Sequence, residues 1–283
     1  MVNAKKNNDG TTALWKAAYN GHTKVVKLLL DEGVDVNIKN TNGETALDIA
    51  TEKGYTDVVK LLLDKGVDVN MKDTTCGTTA LMSAAWEGHT DIVKLFLEKG
   101  ADVNVKSTDD GTTALMMAAE EGHTEVVKLL IEKGANVNLE KDAVVNAEYE
   151  DDGATDLWIA AQNGRMEVVK SLLENGANVN AKRTDDGITA LWLASQEGHM
   201  EVVKLLLENG ADVNVKRTTD DATAFTIAAR NGHKEVSKLL FYWKMGPDVN
   251  VKQTGVGTTA LMIAKRMGHT DIVQLLEKAG AKE

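Results

Sequence analysis

One phrase recurs eight times along this chain, and no other feature constrains its fold as strongly. Aligned on the turn residue before Thr-Ala-Leu and its variants, the anchors are Gly10, Gly43, Gly77, Gly111, Gly153, Gly187, Asp221 and Gly257. The steps between them are 33, 34, 34, 42, 34, 34 and 36 residues. A second glycine, such as Gly88 or Gly122, closes an apolar segment in every copy, and a third, such as Gly100 or Gly134, closes another. Glycine after an apolar helical segment reads as the left-handed residue at a helix C-terminus. Each copy is therefore expected to be two short helices and a loop.

The fourth copy shows the pattern. Thr113 is the expected N-cap of a helix from Ala114 to about Glu121, and a second helix begins near His123. That second helix carries Val126, Val127, Leu129, Leu130 and Ile131, a face too wide for one partner helix to cover. It needs neighbours on both sides, as a stacked array provides. Ala118 has an alanine equivalent in every copy (Ala17, Ala50, Ala84, Ala160, Ala194, Ala228, Ala264), which predicts close helix contact there. Between copies, Ala-Asp-Val-Asn-x-Lys and Thr-Asp-Asp-Gly, as at 101–106 and 108–111, predict a β-hairpin finger.

These residues closely resemble the ankyrin repeat. Its recurring phrases are here Gly-x-Thr-Ala-Leu-x-x-Ala-Ala, Gly-His-x-x-Val-Val-x-Leu-Leu and Gly-Ala-Asp-Val-Asn, and they cover nearly the whole chain. The family's usual Thr-Pro-Leu-His departs: Pro becomes Ala or Asp156, and His becomes Trp, Met, Asp or Thr. The resemblance implies an all-α repeat solenoid of helix-turn-helix plus β-hairpin units in a curved stacked array. It would form one domain over 1–283, with repeats at about 7–39, 40–73, 74–107, 108–149, 150–183, 184–217, 218–253 and 254–283.

Composition narrows the function. The net charge of −11 is ill suited to a phosphate backbone or an anionic membrane, so neither nucleic acid nor membrane is an expected partner. No stretch is long and apolar enough to span a bilayer. The single Cys76 excludes an internal disulfide framework and fits a reducing, cytoplasmic setting; the amino terminus lacks the apolar core of a secretory signal. Lys16 and Glu277 stand at the ends where the other copies are mostly apolar, which predicts a capped, complete array.

Two insertions break the period. Val137-Asn138-Leu139-Glu140 is echoed by Val145-Asn146-Ala147-Glu148, an extended loop near 139–149. Phe241-Tyr242-Trp243 lies in a segment two residues longer than its counterparts, read as a lengthened second helix, with an exposed aromatic patch as the other reading.

Catalytic chemistry finds no support. The six histidines each open a second helix, too far apart to share an ion, so no metal is expected and no cofactor either. The acidic pairs at 109–110, 151–152, 185–186 and 220–221 read as turn formers on solvated fingertips. The Asp-Val-Asn asparagines resemble those hydroxylated in some ankyrin proteins, but a structural role is the expected one.

The resemblance implies binding of a protein or peptide along the first helices and fingers. The residues that vary between copies are the candidates. One row is Trp15, Asp48, Met82, Met116, Trp158, Trp192, Thr226 and Met262; the other, four residues on, is Tyr19, Glu52, Trp86, Glu120, Gln162, Gln196, Arg230 and Arg266. The first row divides between binding and core filling. Trp86 is the expected exposed anchor, and Glu52, Glu87, Glu120 and Glu121 around it suit a ligand with basic residues. The chain is expected to be a monomeric scaffold. A structural spacer and an engineered binder are the alternatives; the closing Leu-Leu-Glu-Lys-Ala-Gly is similar to designed ankyrin proteins, while the insertions argue for a natural array.

Overall fold

The structure, a computed structural model, describes residues 9–140, 154–244, 246–255 and 257–282. Its contacts divide the chain into two compact units, 1–136 and 137–283. The first holds α1 (Ala13–Tyr19), α2 (Thr23–Asp31), α3 (Ala46–Glu52), α4 (Thr56–Asp64), α5 (Ala80–Trp86), α6 (Thr90–Glu98), α7 (Ala114–Glu121) and α8 (Thr124–Glu132). The second holds α9 (Asp156–Gln162), α10 (Met166–Glu174), α11 (Ala190–Glu197), α12 (Met200–Glu208), α13 (Ala224–Asn231), α14 (Lys234–Phe241), α15 (Ala260–Met267) and α16 (Thr270–Lys278). Within each unit, first helices pack on first helices and second on second, giving the all-α repeat solenoid.

Helices of seven to nine residues are too short to persist alone, so packing and caps must hold them. Every first helix starts on a threonine whose hydroxyl accepts a backbone N–H of the first turn, as Thr113 does from Met116 at 3.2 Å. The repeated alanine is buried throughout, from Ala17 to Ala264. In α4, Val58, Val59 and Leu62 are fully buried, each contributing about 1.5–3 kcal/mol against the entropy of ordering.

Two ladders of side chains tie repeat to repeat. His89, His123, His199, His233 and His269 each bond through Nε2 to a backbone carbonyl of the preceding repeat, at 2.7–3.1 Å. Their rings lie on the glycines there, so a methyl group on Gly88 would come within 2.6 Å of His123. The asparagines form the second ladder. Asn104 donates to Gly134 O at 3.1 Å and accepts from Asn136 N at 2.9 Å. The structural reading of both residue types is what the geometry supports.

Three expectations need correction. The fingers contain no strand among the described residues: each is closed by a backbone bond such as Ser107 N to Thr112 O at 2.9 Å, with isolated bridges only at Lys72–Thr79 and Glu140–Thr155. Carboxylates take the N–H groups that a strand ladder would have used, as Asp110 does from Thr112. Second, α14 ends at Phe241 and is not lengthened; Tyr242 caps it with 73% exposure, edge-on to Phe241. Third, the first repeat exposes Val25 and Leu28, so its end is apolar despite Lys16. The extended loop near 139–149 and the acidic pair 151–152 fall largely or wholly outside the described residues.

Candidate functional site

The two rows of variable residues meet different fates. In the first row Met82, Met116, Trp158 and Trp192 are buried, at 0–4% exposure, and their side chains pack inward instead of presenting a surface to a ligand. Trp15 and Met262 are half-buried. In the second row Tyr19, Glu52, Trp86 and Arg266 are exposed, while Glu120, Gln162, Gln196 and Arg230 are half-buried. Tyr19 stacks on Trp15 with ring centres 5.3 Å apart. Arg230 donates to Gln253 at 3.1 Å.

What covers the second unit's tryptophans is a finger arginine twenty-five residues further on, Arg183 for Trp158 and Arg217 for Trp192. The guanidinium of Arg183 lies 5.4 Å from the Trp158 ring centre, and that of Arg217 lies 5.1 Å from Trp192. Each guanidinium is forked onto a carboxylate. Arg183 meets Asp186 at 3.0 and 2.6 Å; Arg217 meets Asp220 at 2.9 and 2.5 Å. Burial alone would raise the Asp186 carboxyl, but Arg183 and the Ile188 N–H outweigh it and hold the group below its usual range. Arg217 does the same for Asp220. These fingertip acids are ion-paired, not merely solvated turn formers.

In the second repeat, within the first unit, the same two positions are both acidic. Asp48 stands in the tryptophan's place and Asp73, twenty-five residues on, in the arginine's. No lid forms, and a cleft of about 390 Å³ opens, lined by Glu44, Asp48, Glu52, Asp73, Trp86 and Glu87 among others. Trp86 is 40% exposed on its wall. Its carbonyl accepts the His123 bond at 2.8 Å, which fixes the backbone that carries it. Ser83 and Met117, both half-buried, complete the surround.

The carboxylates of the cleft differ in state. Burial pushes the Asp48 carboxyl up, against two bonds of 2.8 Å from the N–H and hydroxyl of Thr45. Asp73 is also penalised by burial, yet the Thr78 hydroxyl and the N–H groups of Cys76, Thr75 and Thr78 overcome this and hold it well below the carboxylate range. Asp73 is thus an organiser of its finger. Cys76 Sγ lies 3.5 Å from it. Glu52 pairs with Lys53 at 2.6 Å, and Glu87 stands exposed beside it. The cleft carries excess negative charge beside an indole face, which suits a cation. No group of side chains among the described residues has the geometry of a metal site.

Trp86, Glu52 and Glu87, expected near one another from the sequence, line the same cleft, whereas the arginine lids were not foreseen. The signal was present: Lys-Arg-Thr occurs only in the fingers that follow Trp158 and Trp192.

A profile of the family described as ankyrin repeats (3 copies) matches residues 1–73, 71–141, 140–217 and 216–282. The chain belongs to the ankyrin repeat family. Among solved structures it is similar to the human ASB11 ankyrin repeat domain, at 28% identity and a TM-score of 0.68, covering 77% of this chain and 92% of that one. No curated protein sequence matches the chain. Ankyrin repeats are generally protein–protein interaction modules, typically scaffolds and not enzymes. No helix among the described residues is long and apolar enough to cross a membrane.

Proposed function

We propose that this chain is a non-enzymatic scaffold over 1–283 that binds a protein or peptide, and that the cleft of its first unit takes an arginine side chain from that partner. The observation that carries this is internal to the chain. Where the second unit seats a guanidinium, it uses an indole face and a forked carboxylate, at Trp158–Arg183–Asp186 and Trp192–Arg217–Asp220. The first unit's cleft offers the same ingredients, Trp86 with Asp48, Glu52 and Glu87, and places an acid at the lid position. An incoming guanidinium stacks and forks where an ammonium does neither as well, so arginine is favoured over lysine. The spacer reading suits the second unit better, because its two groove tryptophans are covered by its own arginines. The single free thiol, Cys76, accords with a reducing, cytoplasmic setting.

The test is calorimetric titration of the intact chain with a short peptide bearing one arginine beside a leucine. Lysine and citrulline versions serve as controls. Binding should follow arginine over lysine over citrulline and weaken roughly tenfold or more in Trp86→Ala. Equal binding of all three peptides would remove the arginine assignment.

A further inference from the structure

Asparagine followed by glycine occurs six times, at Asn20, Asn42, Asn163, Asn175, Asn209 and Asn231. The pair carries a latent reaction. With no Cβ in the way, the glycine amide nitrogen can approach the side-chain carbonyl carbon of the asparagine before it. The nitrogen loses its proton and bonds to that carbon, a succinimide ring closes, and the side-chain nitrogen leaves as ammonia. Water then opens the ring to aspartate or isoaspartate. One water is consumed, one ammonia is released, and a neutral amide becomes a carboxylate.

The fold sets one of the six apart. Five lie at the C-terminal ends of helices, where each side-chain amide is tied down. Asn20, Asn163, Asn175 and Asn209 donate to the carbonyls of Lys16, Ile159, Ser171 and Leu205 at 2.8–3.0 Å. Asn231 donates to Gln196 O of the preceding repeat at 2.9 Å. Attack requires the side chain to rotate, and those bonds must break first. Asn42 lies instead in the finger before α3. It is exposed, and its side chain makes no hydrogen bond among the described residues. Only its backbone N–H is held, by Asn40 Oδ1 at 2.9 Å. The Gly43 N–H donates to Asn40 O at 3.1 Å, closing a surface turn that opens at lower cost than a packed helix end. Gly43 itself is required by the fold: its φ is +84°, and a methyl group there would come within 2.7 Å of Thr74 Oγ1.

Asn42 and Gly43 both line the cleft of about 390 Å³, with Glu44, Asp48 and Glu52. We propose that Asn42 is a deamidation site, and that its conversion adds a carboxylate which tightens the cleft on a partner's guanidinium. The first half stands on the Asn42 geometry alone, and the second rests on the arginine reading of the cleft. Ammonia is lost to solvent, so the change runs one way and an old chain binds more tightly than a new one.

The test incubates the intact chain for days in mildly alkaline buffer and maps the mass of each Asn-Gly peptide over time. The Asn42 peptide should convert while the other five stay intact, and in urea all six should convert at similar rates. Asn42→Gln, which should keep its helical circular dichroism because the side chain is exposed and unbonded, should remove the early conversion. The aged chain and Asn42→Asp should bind the arginine peptide about two- to fivefold more tightly than the fresh chain, as one added surface charge allows. An Asn42 that stays intact, or converts no faster than Asn20 or Asn163 in the folded chain, would overturn the site. Conversion with unchanged peptide affinity would overturn its effect on the cleft. A fresh chain that does not bind the peptide would instead remove the arginine reading, and the mass map would still decide the site.

Discussion

Asp156 is the residue whose replacement tests the energetics most sharply. It opens α9 at a position where all seven other repeats carry alanine, its side chain is fully buried, and neither carboxyl oxygen has a hydrogen-bond partner. Burial pushes its carboxyl up from 3.8 to about 8. At pH 7 the folded chain therefore holds a proton that the unfolded chain releases. At 1.36 kcal/mol per unit, that mismatch costs about 4 kcal/mol at pH 7. Asp156→Ala removes it. The void left behind and the lost acid at a helix N-terminus each give back under about 1 kcal/mol. A net stabilisation of about 2–3 kcal/mol follows, or roughly 4–12 °C for a domain of this size. Because the folded carboxyl is raised, its favourable state is complete below the unfolded value near 4 and is lost as pH rises toward 8. Urea unfolding of the parent between pH 5 and 8 should show stability falling with pH, and Asp156→Ala should flatten that slope. Equal slopes in the two proteins, or a destabilised Asp156→Ala at pH 7, would refute the reasoning.

Four other outcomes follow. Asp48→Asn should weaken arginine-peptide binding about five- to tenfold, measured by titration calorimetry, and should abolish the rise in affinity with pH that the raised Asp48 carboxyl produces as it ionises. Arg217→Ala should cost about 1–3 kcal/mol in urea unfolding and shift the emission of the uncovered Trp192 to longer wavelength. The Asp186 and Asp220 pairings add stability above pH 4, which thermal scans should show being lost as pH falls further, because both carboxyls are lowered. Gly88→Ala combines φ +74° with a clash on His123 and should destabilise by more than about 2 kcal/mol, whereas Gly100→Ala, at φ +86° in open space, should cost about 1 kcal/mol.

The frame of this fold is legible in the chain because the repeat compares itself with itself. Thr113 capping α7, Gly122 ending it and Ala118 at the close contact all follow from residues that recur in register. The site is less legible, because burial of a variable residue depends on a residue in the next finger. Trp86 is exposed and Trp158 is buried, yet both occupy groove rows: the first row packs inward, as Met82 and Met116 also do, and Arg183, twenty-five residues on, adds a cover over Trp158. The absence of strands in the fingers is similar. Valine and a polar turn suggest a hairpin, but Asp73 and Asp110 accept the backbone N–H groups themselves. Tyr242 is exposed because α14 stops at Phe241, and apolar pattern alone does not mark that stop.

The cleft assignment is tested most directly by labelling the indole nitrogens of the intact chain and titrating the arginine peptide while recording all five tryptophan N–H signals. The account predicts that Trp86 moves while Trp158 and Trp192, beneath their own arginines, do not. Movement of Trp158 or Trp192 with a silent Trp86 would contradict it.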